Sequence, residues 1–454
     1  MPSTIQSKQC PRLTITTQDF KIAMPLKNNK INAISFALSL ILGTTFINPA
    51  IAQDTLILAD AYIDVAKGKS INDAAIIVSN NQIIKVTTAA NINNKADYSL
   101  IDLKGKTLVP GVMDMHVHLS FDAEDNFLES MNYSVPRQTV KAVKNAQKTL
   151  LAGFTTVRDL GASGYSVIAT RDGIDAGDIP GPRIWAVGHA IGITGGHCDD
   201  NFPAPEAHAK AQGVADGPWE VRTKVRENIK YGANAIKVCA TGGVFSKGTQ
   251  VGAQQMTYEE LKSAADEAHM RGLVIAAHAH GTSGIKDAIR AGIDSIEHCS
   301  FMDDEAIKMV IKAGTYLSCD IYNTEYTLAY GAANGVPEAN INKEKQVSQA
   351  QRDSFRKAVK AGAKMVFGSD AAIYPHGDNG KQFSRMVTFG MTPIQALQAA
   401  TINSAALIKQ DNLGQIKAGF MADIIAVDGN PLDNISLMEN VTFVMKDGVV
   451  YKQL

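Results

Sequence analysis

The chain of 454 residues is poor in cysteine and in aromatic residues, and its charges almost cancel. It has five cysteines, 6% aromatic residues and a formal net charge of −1. The sequence has no basic tract with interleaved aromatics, which argues against a nucleic-acid partner. The cysteine spacing matches no disulfide framework or zinc-ribbon pattern. We expect Cys239 and Cys299, in or just after apolar strand-like runs, to be buried thiols, with a disulfide as the alternative if the protein is exported.

Long apolar runs are also scarce, and the clearest one lies near the N-terminus. Residues 34–47 form a short apolar segment that follows Lys27 and Lys30 and precedes an Ala-x-Ala pattern at 50–52. This layout is typical of a secretory signal peptide, and the run is too short to span a bilayer comfortably. A membrane anchor or a buried helix is the alternative.

We therefore expect residues 1–52 to be a signal peptide, with an upstream extension at 1–23 if Met24 is the true start. The mature protein would be secreted or periplasmic, without stable membrane insertion after signal cleavage.

The pattern of apolar residues changes twice along the chain. Residues 53–110 and 411–454 are predicted to form short strands separated by Asn, Asp and Gly turns, including a hairpin turn at Asp447-Gly448. Residues 111–410 alternate strand-like runs with amphipathic helical stretches. This pattern predicts an α/β protein: a (β/α)8 TIM-type barrel at 111–410, and a small β-sandwich-like domain built from both ends of the mature chain. A doubly wound sheet is the alternative, but no G-x-G-x-x-G motif follows its first strand.

His116 and His118 lie two residues apart in an apolar run that follows a Pro-Gly turn. In a β-strand, residues i and i+2 face the same side, so the two imidazoles project together. Two imidazoles on one strand face form a metal-ligand pair, whereas two solvent-facing histidines on an edge strand are the alternative.

Four more polar residues lie within or at the end of apolar runs, where barrel enzymes carry their active sites. They are Lys237, His278, His298 and Asp370. A buried unpaired lysine is costly, so Lys237 either reaches the surface or is a deprotonated amine carboxylated by carbon dioxide. Individually the histidines could be core residues and Asp370 a helix cap, but together the six residues suit two metal ions.

These motifs resemble those of the amidohydrolase superfamily over about residues 108–408. The matching segments are PGVMDMHVH at 110–118, GFTTVRD at 153–159, KVCATGG at 237–243, HAHG at 278–281, IEH at 296–298 and GSD at 368–370. Within the superfamily the chain resembles the binuclear, carboxylated-lysine branch, which includes Xaa-Pro dipeptidases, carboxypeptidase-like dipeptidases and ochratoxin-hydrolysing amidases.

The resemblance implies a set of ligands for each of the two metal ions. It implies that His116 and His118 bind the more buried metal with Asp370, that His278 and His298 bind the second, and that carboxylated Lys237 bridges both. Zinc is the expected metal, with manganese, cobalt and iron as alternatives.

The expected reaction is hydrolysis of an amide or peptide bond by an exported, metal-dependent amidohydrolase acting through a metal-bridging hydroxide. Asp370 would accept the proton of the hydroxide and pass it to the leaving nitrogen. The expected substrate is a dipeptide or an N-acyl amino acid, with ochratoxin-type amides included, and a homo-oligomer is compatible with the sequence. The alternatives are a mononuclear deaminase or cyclic-amide hydrolase of the same superfamily, and a periplasmic binding protein with a vestigial site.

Several further residues are weaker candidates. His197, His280 and Tyr322 are expected to contact substrate, with a structural role as the alternative for each. Arg158 and Asp159 are expected to form a buried pair that shapes the barrel mouth, with the orientation of ligands as the alternative role. The loop at 197–219 is long enough to act as a lid, although a plain surface loop is equally compatible.

Overall fold

The computed structural model describes residues 53–454. The predicted signal peptide at 1–52 lies outside these residues. In the described part of the chain, every helix is too short or too polar to cross a membrane.

Residues 53–454 form fifteen strands and twelve α-helices. The strands are β1 (Thr55–Asp64), β2 (Lys69–Ser79), β3 (Gln82–Thr88), β4 (Ser99–Pro110), β5 (Val112–Val117), β6 (Phe154–Asp159), β7 (Arg183–Ala186), β8 (Ile236–Cys239), β9 (Ile275–Ala279), β10 (Ser295–His298), β11 (Tyr316–Ser318), β12 (Met365–Val366), β13 (Ile424–Asp428), β14 (Phe443–Lys446) and β15 (Val449–Gln453). The helices are α1 (Phe127–Ser130), α2 (Val135–Leu151), α3 (Ser166–Asp175), α4 (Pro218–Lys230), α5 (Tyr258–Met270), α6 (Thr282–Ala291), α7 (Asp304–Ala313), α8 (Asn323–Tyr330), α9 (Glu338–Lys360), α10 (Lys381–Thr388), α11 (Pro393–Ala399) and α12 (Ile402–Leu407).

The strands near the two ends of the described chain form one seven-stranded sheet in the order β15-β14-β13-β4-β1-β2-β3. Its interior strand β1 alternates its side chains between two apolar clusters: Ile57 and Ala59 lie in one, Leu56 and Leu58 in the other. The β14–β15 hairpin turns at Asp447 and Gly448, whose φ angles of 52° and 77° lie in the left-handed region, as the Asp-Gly pair predicts. The arrangement differs from the predicted sandwich in being one continuous sheet, because β4 pairs with both β1 and β13.

Eight parallel strands follow one another in chain order, as a (β/α)8 barrel requires. They lie in two sheets, β5-β6-β7 and β8-β9-β10-β11-β12. At one seam, Ile191 N donates to Lys237 O at 2.9 Å and Cys239 N donates to Ile191 O at 2.8 Å. At the other, Val117 bridges to Ala371, just beyond β12. The carboxyl ends of all eight strands therefore face the same end of this ring.

The sequence sets the ends of the surrounding helices through caps. Asp303 accepts a hydrogen bond from Ala306 N at the start of α7, and Gly292 and Gly314 end α6 and α7 with φ of 93° and 74°. Thr257 and Glu260 form a capping box at the start of α5. These caps fix where each helix returns the chain to the next strand.

We expect Thr257→Ala to lower the free energy of unfolding by about 1 kcal/mol, because the N-terminal amides of α5 lose their side-chain acceptor. Urea denaturation measures the change. Thr223→Ala, in the exposed interior of α4, is the control, and it should leave stability the same or slightly higher because alanine is the better helix former. Equal effects of the two substitutions would contradict this role of the cap.

Candidate metal centre and active site

The six residues with the strongest sequence signal all lie at the carboxyl ends of barrel strands. His116 lies on β5 and His118 directly after it, and Lys237 lies on β8. The other three follow the same rule: His278 is on β9, His298 ends β10, and Asp370 follows β12. Residues separated by more than 250 positions in the chain thus reach one cavity.

Three overlapping groups of side chains place their donor atoms within 4.8 Å of one another. The groups are His116 with His118 and Asp370, His278 with His280 and His298, and His298 with Asp320 and Asp370. The first matches the set expected for the more buried metal. The other two place His280 and Asp320 beside the expected ligands His278, His298 and Asp370.

The first histidine pair is oriented by groups that contact its Nδ1 atoms. His118 Nδ1 lies 3.0 Å from Gly161 O, and His116 Nδ1 lies 3.0 Å from Glu297 Oε2. The carbonyl oxygen favours a proton on His118 Nδ1, which leaves His118 Nε2 as the free metal-binding atom. The contact between His116 Nδ1 and Glu297 Oε2 is close in distance but is not aligned as a hydrogen bond. Both Nε2 atoms lie 3.4 Å from Asp370 Oδ1, so the two imidazoles and the carboxylate converge.

Glu297 is held in place by Arg158 and by Ser295 of its own strand, whose Oγ donates to Glu297 Oε1 at 2.6 Å. Arg158 is fully buried, and its guanidinium donates to Glu297 Oε1 at 2.8 Å and to Met115 O at 2.7 Å. Burial alone would raise the pKa of Glu297, but the Arg158 charge holds that pKa below its usual range. A charged carboxylate therefore stands behind His116.

The expected pairing of Arg158 with Asp159 is wrong. Adjacent residues of a strand point to opposite faces, so Arg158 faces Glu297 while Asp159 accepts hydrogen bonds from Leu119 N at 2.7 Å and Gly161 N at 3.2 Å. Asp159 thereby fixes the turns beside His118.

The second histidine group has its own supports. His298 Nδ1 lies 3.0 Å from Asp320 Oδ1, and His280 Nδ1 lies 2.7 Å from Ser300 Oγ. His278 Nε2 is fully enclosed and has no hydrogen-bond partner among the residues the structure describes. A buried imidazole nitrogen without a partner is costly, which is a direct sign that this group needs a further atom.

Lys237 is 3% exposed and lines the same cavity as the histidines. Burial lowers its pKa to about 8, so a substantial fraction of its amine is neutral near pH 7 to 8. This burial excludes the alternative in which Lys237 reaches the surface.

The backbone is strained at the two strand ends that carry His298 and Asp370. These residues have φ of 70° and 55°, and Cys299 and Ala372 have φ of 58° and 127°. Non-glycine residues rarely adopt the left-handed region, and such conformations concentrate at functional sites. Here they turn both side chains toward the cavity.

Two of the three residues expected to contact substrate line the cavity, and the third does not. His197 and His280 line it, and the His197 ring stacks on His278 with centroids 4.0 Å apart. Tyr322 is 7% exposed and packs edge-on against Tyr374, with centroids 4.8 Å apart, so its ring belongs to the packing behind the site. The tyrosine that lines the cavity is Tyr326, one helical turn later.

Sequence reasoning missed Asp320, and the same strand-end rule could have found it. Asp320 follows the apolar strand β11 two residues before Tyr322, and it contacts His298, Asn323 and Gln351. Gln351 could not have been found in this way, because it comes from the helix α9 and meets the strand ends only in the folded chain.

The prediction of a buried thiol is wrong for Cys239. Cys198 and Cys239 form a disulfide, with their Cα atoms 6.2 Å apart, while Cys299 and Cys319 are free and buried. The disulfide ties the loop that carries His197 to the end of β8, two residues beyond Lys237. This pair could not be predicted from the sequence, because its separation of 41 residues follows no known spacing of a disulfide framework.

The cavity has a volume of about 900 Å³, at the upper end of the range for small-molecule sites. One side of it is apolar, since Phe127 contacts Phe202 and Phe245 with ring centroids 5.6 and 5.8 Å away. Phe202 belongs to the loop predicted to act as a lid, and the loop thus contributes to the wall of the cavity.

The side chains at the base of the cavity fit divalent metal ions. Burial lowers the pKa of His118 to about 4 and moves the pKa values of His116 and His278 well below normal, so these three imidazoles are neutral. Burial would also lower the pKa of His298, but the Asp320 carboxylate raises it above its usual value. Burial raises the pKa of Asp370 to about 8, because its effect outweighs the opposite effects of the His298 and Lys237 charges. Neutral imidazoles, an orphaned nitrogen and an undercompensated carboxylate are the donor set that such ions bind.

We expect Arg158→Met to lower the free energy of unfolding of the metal-free protein by about 3–5 kcal/mol, because Glu297 is left as an uncompensated buried charge. Chemical denaturation measures the loss. The double variant Arg158→Met/Glu297→Leu should recover much of it. If the double variant loses the sum of the two single losses, the buried pair is not coupled as described.

Peptide mapping of the unreduced protein should recover Cys198 and Cys239 in one cross-linked pair of peptides, because their sulfur atoms are bonded in the fold. Cys299 and Cys319 serve as the internal control, and both should be alkylated as free thiols after unfolding. Alkylation of all four would contradict the pairing.

The sequence profile described as the amidohydrolase family matches residues 107–451. An ochratoxinase of Aspergillus niger is 30% identical over 426 residues, which cover 88% of this chain and 87% of that protein. A solved Xaa-Pro dipeptidase with methionine bound in its active site is 40% identical, with a TM-score of 0.82 over 88% of this chain and 100% of its own. A solved prolidase in complex with N-methylphosphonate-L-proline is 28% identical, with a TM-score of 0.81 and the same coverages, 88% and 100%.

These relatives extend over the small sheet as well as the ring of parallel strands, and they imply a TIM-type barrel with a small additional domain. The family match covers the segments that carry every predicted metal ligand. The chain therefore belongs to the amidohydrolase family, and it is a hydrolase that acts on carbon–nitrogen amide bonds.

Proposed function

We propose that the protein is an exported, metal-dependent amidohydrolase that cleaves the amide or peptide bond of a dipeptide or an N-acyl amino acid. The observation that carries this proposal is the convergence of four histidines, Lys237 and Asp370 in one cavity. The likeness to an Xaa-Pro dipeptidase and to an ochratoxinase supports this substrate range, which includes ochratoxin-type amides. Export is supported by the signal-like segment at 34–52.

The proposed metal site holds two divalent ions, and zinc suits the imidazole and carboxylate donors. His116, His118 and Asp370 would hold one ion, and His278 and His298 the other. Lys237, once carboxylated, would contribute an oxygen to each. Its burial and lowered pKa support the carboxylation, since a neutral amine is the form that reacts with carbon dioxide.

Such ions, when bound, activate water and polarise the carbonyl of the scissile amide. The remaining steps belong to the protein. Asp370 Oδ1 faces the two histidines, and Asn323 Nδ2 donates to its Oδ2 at 3.1 Å. This contact fixes the carboxylate so that Oδ1 can take a proton from the attacking water and deliver it to the leaving nitrogen, which amide cleavage requires.

His197 and His280 are proposed to bind the carbonyl oxygen or a carboxylate of the substrate. Both rings are packed against neighbouring imidazoles, and each Nδ1 is occupied by a serine hydroxyl, at 3.0 Å for His197 and 2.7 Å for His280. Each Nε2 is therefore the atom left to contact substrate.

Lys237→Ala should abolish amide hydrolysis and remove most of the bound metal, because the bridging group is lost. The measurements are hydrolysis of a panel of dipeptides and N-acyl amino acids, and the metal content of the purified protein. Lys262→Ala, a half-exposed lysine on α5, should retain both. Full activity in Lys237→Ala would contradict the bridging role.

The metal content also distinguishes the proposed two-metal amidohydrolase from the main alternative, a mononuclear deaminase. The proposal expects about two ions per chain, whereas one ion per chain together with activity on purines or pyrimidines would favour a mononuclear deaminase.

A further inference from the structure

Glu344 lies in the wall of the cavity and has no role in the proposed chemistry. It is on α9, and its side chain is 4% exposed. Its Oε1 accepts a hydrogen bond from Thr324 Oγ1 at 2.5 Å. Its Oε2 has no hydrogen-bond partner among residues 53–454 and is not sealed from solvent, so this oxygen faces the cavity.

No lysine, arginine or histidine within the described part of the chain forms an ion pair with Glu344. The nearest arginine on its helix, Arg352, pairs instead with Glu325 at 3.6 Å. Burial raises the pKa of Glu344 to about 7, which is the response of a carboxylate that lacks a cation. A carboxylate in this position gains most from a cationic group that enters the cavity from outside.

The helix that carries Glu344 is fixed on both sides of it. Lys343 Nζ donates to Ser246 O at 2.7 Å, and Asn340 Nδ2 donates to Val244 O at 2.6 Å, which anchors α9 to the loop after β8. Seven residues further on, Gln351 Nε2 donates to His298 O at 3.1 Å and Asp320 Oδ1 at 3.0 Å. Glu344 therefore occupies a preorganised position relative to the metal centre.

The contact with Thr324 places Glu344 close to the reacting groups. Thr324 is the neighbour of Asn323, whose side chain donates both to Asp320 at 2.6 Å and to Asp370 at 3.1 Å. In a dipeptide the N-terminal ammonium is attached to the carbon that bears the scissile carbonyl. A carboxylate that binds this ammonium must therefore lie near the residues that activate water, but it cannot be one of them.

We propose that Glu344 binds the N-terminal ammonium of an unblocked dipeptide, and that the preferred substrates are therefore dipeptides and not N-acyl amino acids. This inference rests on the proposed amide hydrolysis at the same site. The inference separates the two proposed substrate classes by charge: an unblocked dipeptide presents an ammonium to the cavity wall, and an N-acyl amino acid does not.

The first test uses the wild-type, metal-loaded enzyme. L-Alanyl-L-proline and L-phenylalanyl-L-alanine are compared with propionyl-L-proline and 3-phenylpropionyl-L-alanine, in which the ammonium is replaced by hydrogen. The dipeptides should be preferred in kcat/KM by about 10-fold or more, the range of a charge-assisted hydrogen bond. Equal or faster hydrolysis of the des-amino compounds would overturn the inference and leave amide hydrolysis standing.

The second test uses Glu344→Gln, which keeps an acceptor for Thr324 and removes the charge. It should lower kcat/KM for the dipeptides by about 10-fold and bring the ratio of dipeptide to des-amino substrate toward one. Glu338→Gln, an exposed position in the first turn of the same helix, is the control and should keep the wild-type ratio.

An unchanged ratio in Glu344→Gln would show that the ammonium is bound elsewhere and would overturn the assignment. If Glu344→Gln does not fold, Glu344→Asp is measured instead, because it withdraws the charge by one methylene and should lower the ratio of dipeptide to des-amino substrate. An unchanged ratio in that variant would likewise overturn the assignment. Failure of the proposed function looks different, because the metal-loaded wild type would then hydrolyse neither member of any pair.

Discussion

The site depends on the hydrogen bonds that join β5 to the segment after β12. Asp370 N donates to His116 O at 2.7 Å, and His118 N donates to Ala371 O at 2.9 Å. These bonds fix the register between the first and last strands of the ring, so Asp370 Oδ1 lies equally close to both imidazoles. A slip of one residue would turn the Asp370 side chain to the opposite face and separate the donors.

A second network beneath this seam keeps it closed. Asp114 is buried on β5 and accepts hydrogen bonds from Ser369 N at 3.0 Å and Asn379 Nδ2 at 2.8 Å. His376 Nε2 lies 3.2 Å from His118 O, so a ring from the last part of the barrel reaches the carbonyl of a proposed ligand. Because all these groups are buried, leaving any of them without a hydrogen-bond partner would destabilise the fold by more than the loss of a surface hydrogen bond does.

The buried charges of the cavity fall into two classes. Glu297 is compensated by Arg158 and serves to orient His116. Asp370, Glu344 and Lys237 lack sufficient compensation within the protein, and burial moves their pKa values to about 8, 7 and 8. Perturbed groups of this kind, gathered in one cavity, are typical of sites that bind charged ligands.

The sequence by itself determined most of the strand ends that carry candidate metal donors, because the alternation of strands and helices sends all carboxyl ends of a parallel ring to one face. His116, His118, Lys237, His278, His298 and Asp370 could be found by that rule. It also determined local features such as the capped start of α5 and the β14–β15 turn, since these depend on residues a few positions apart.

Only the tertiary structure decided which side chains contact each other across the fold. The pairing of Arg158 with Glu297, the disulfide between Cys198 and Cys239, and the approach of Glu344 to the cavity join residues distant in the chain. Their positions depend on strand register and on the packing of α9 against the barrel mouth. The sequence pattern specifies that each residue is polar or apolar, but a side chain's partner is set by the geometry of the elements that carry it.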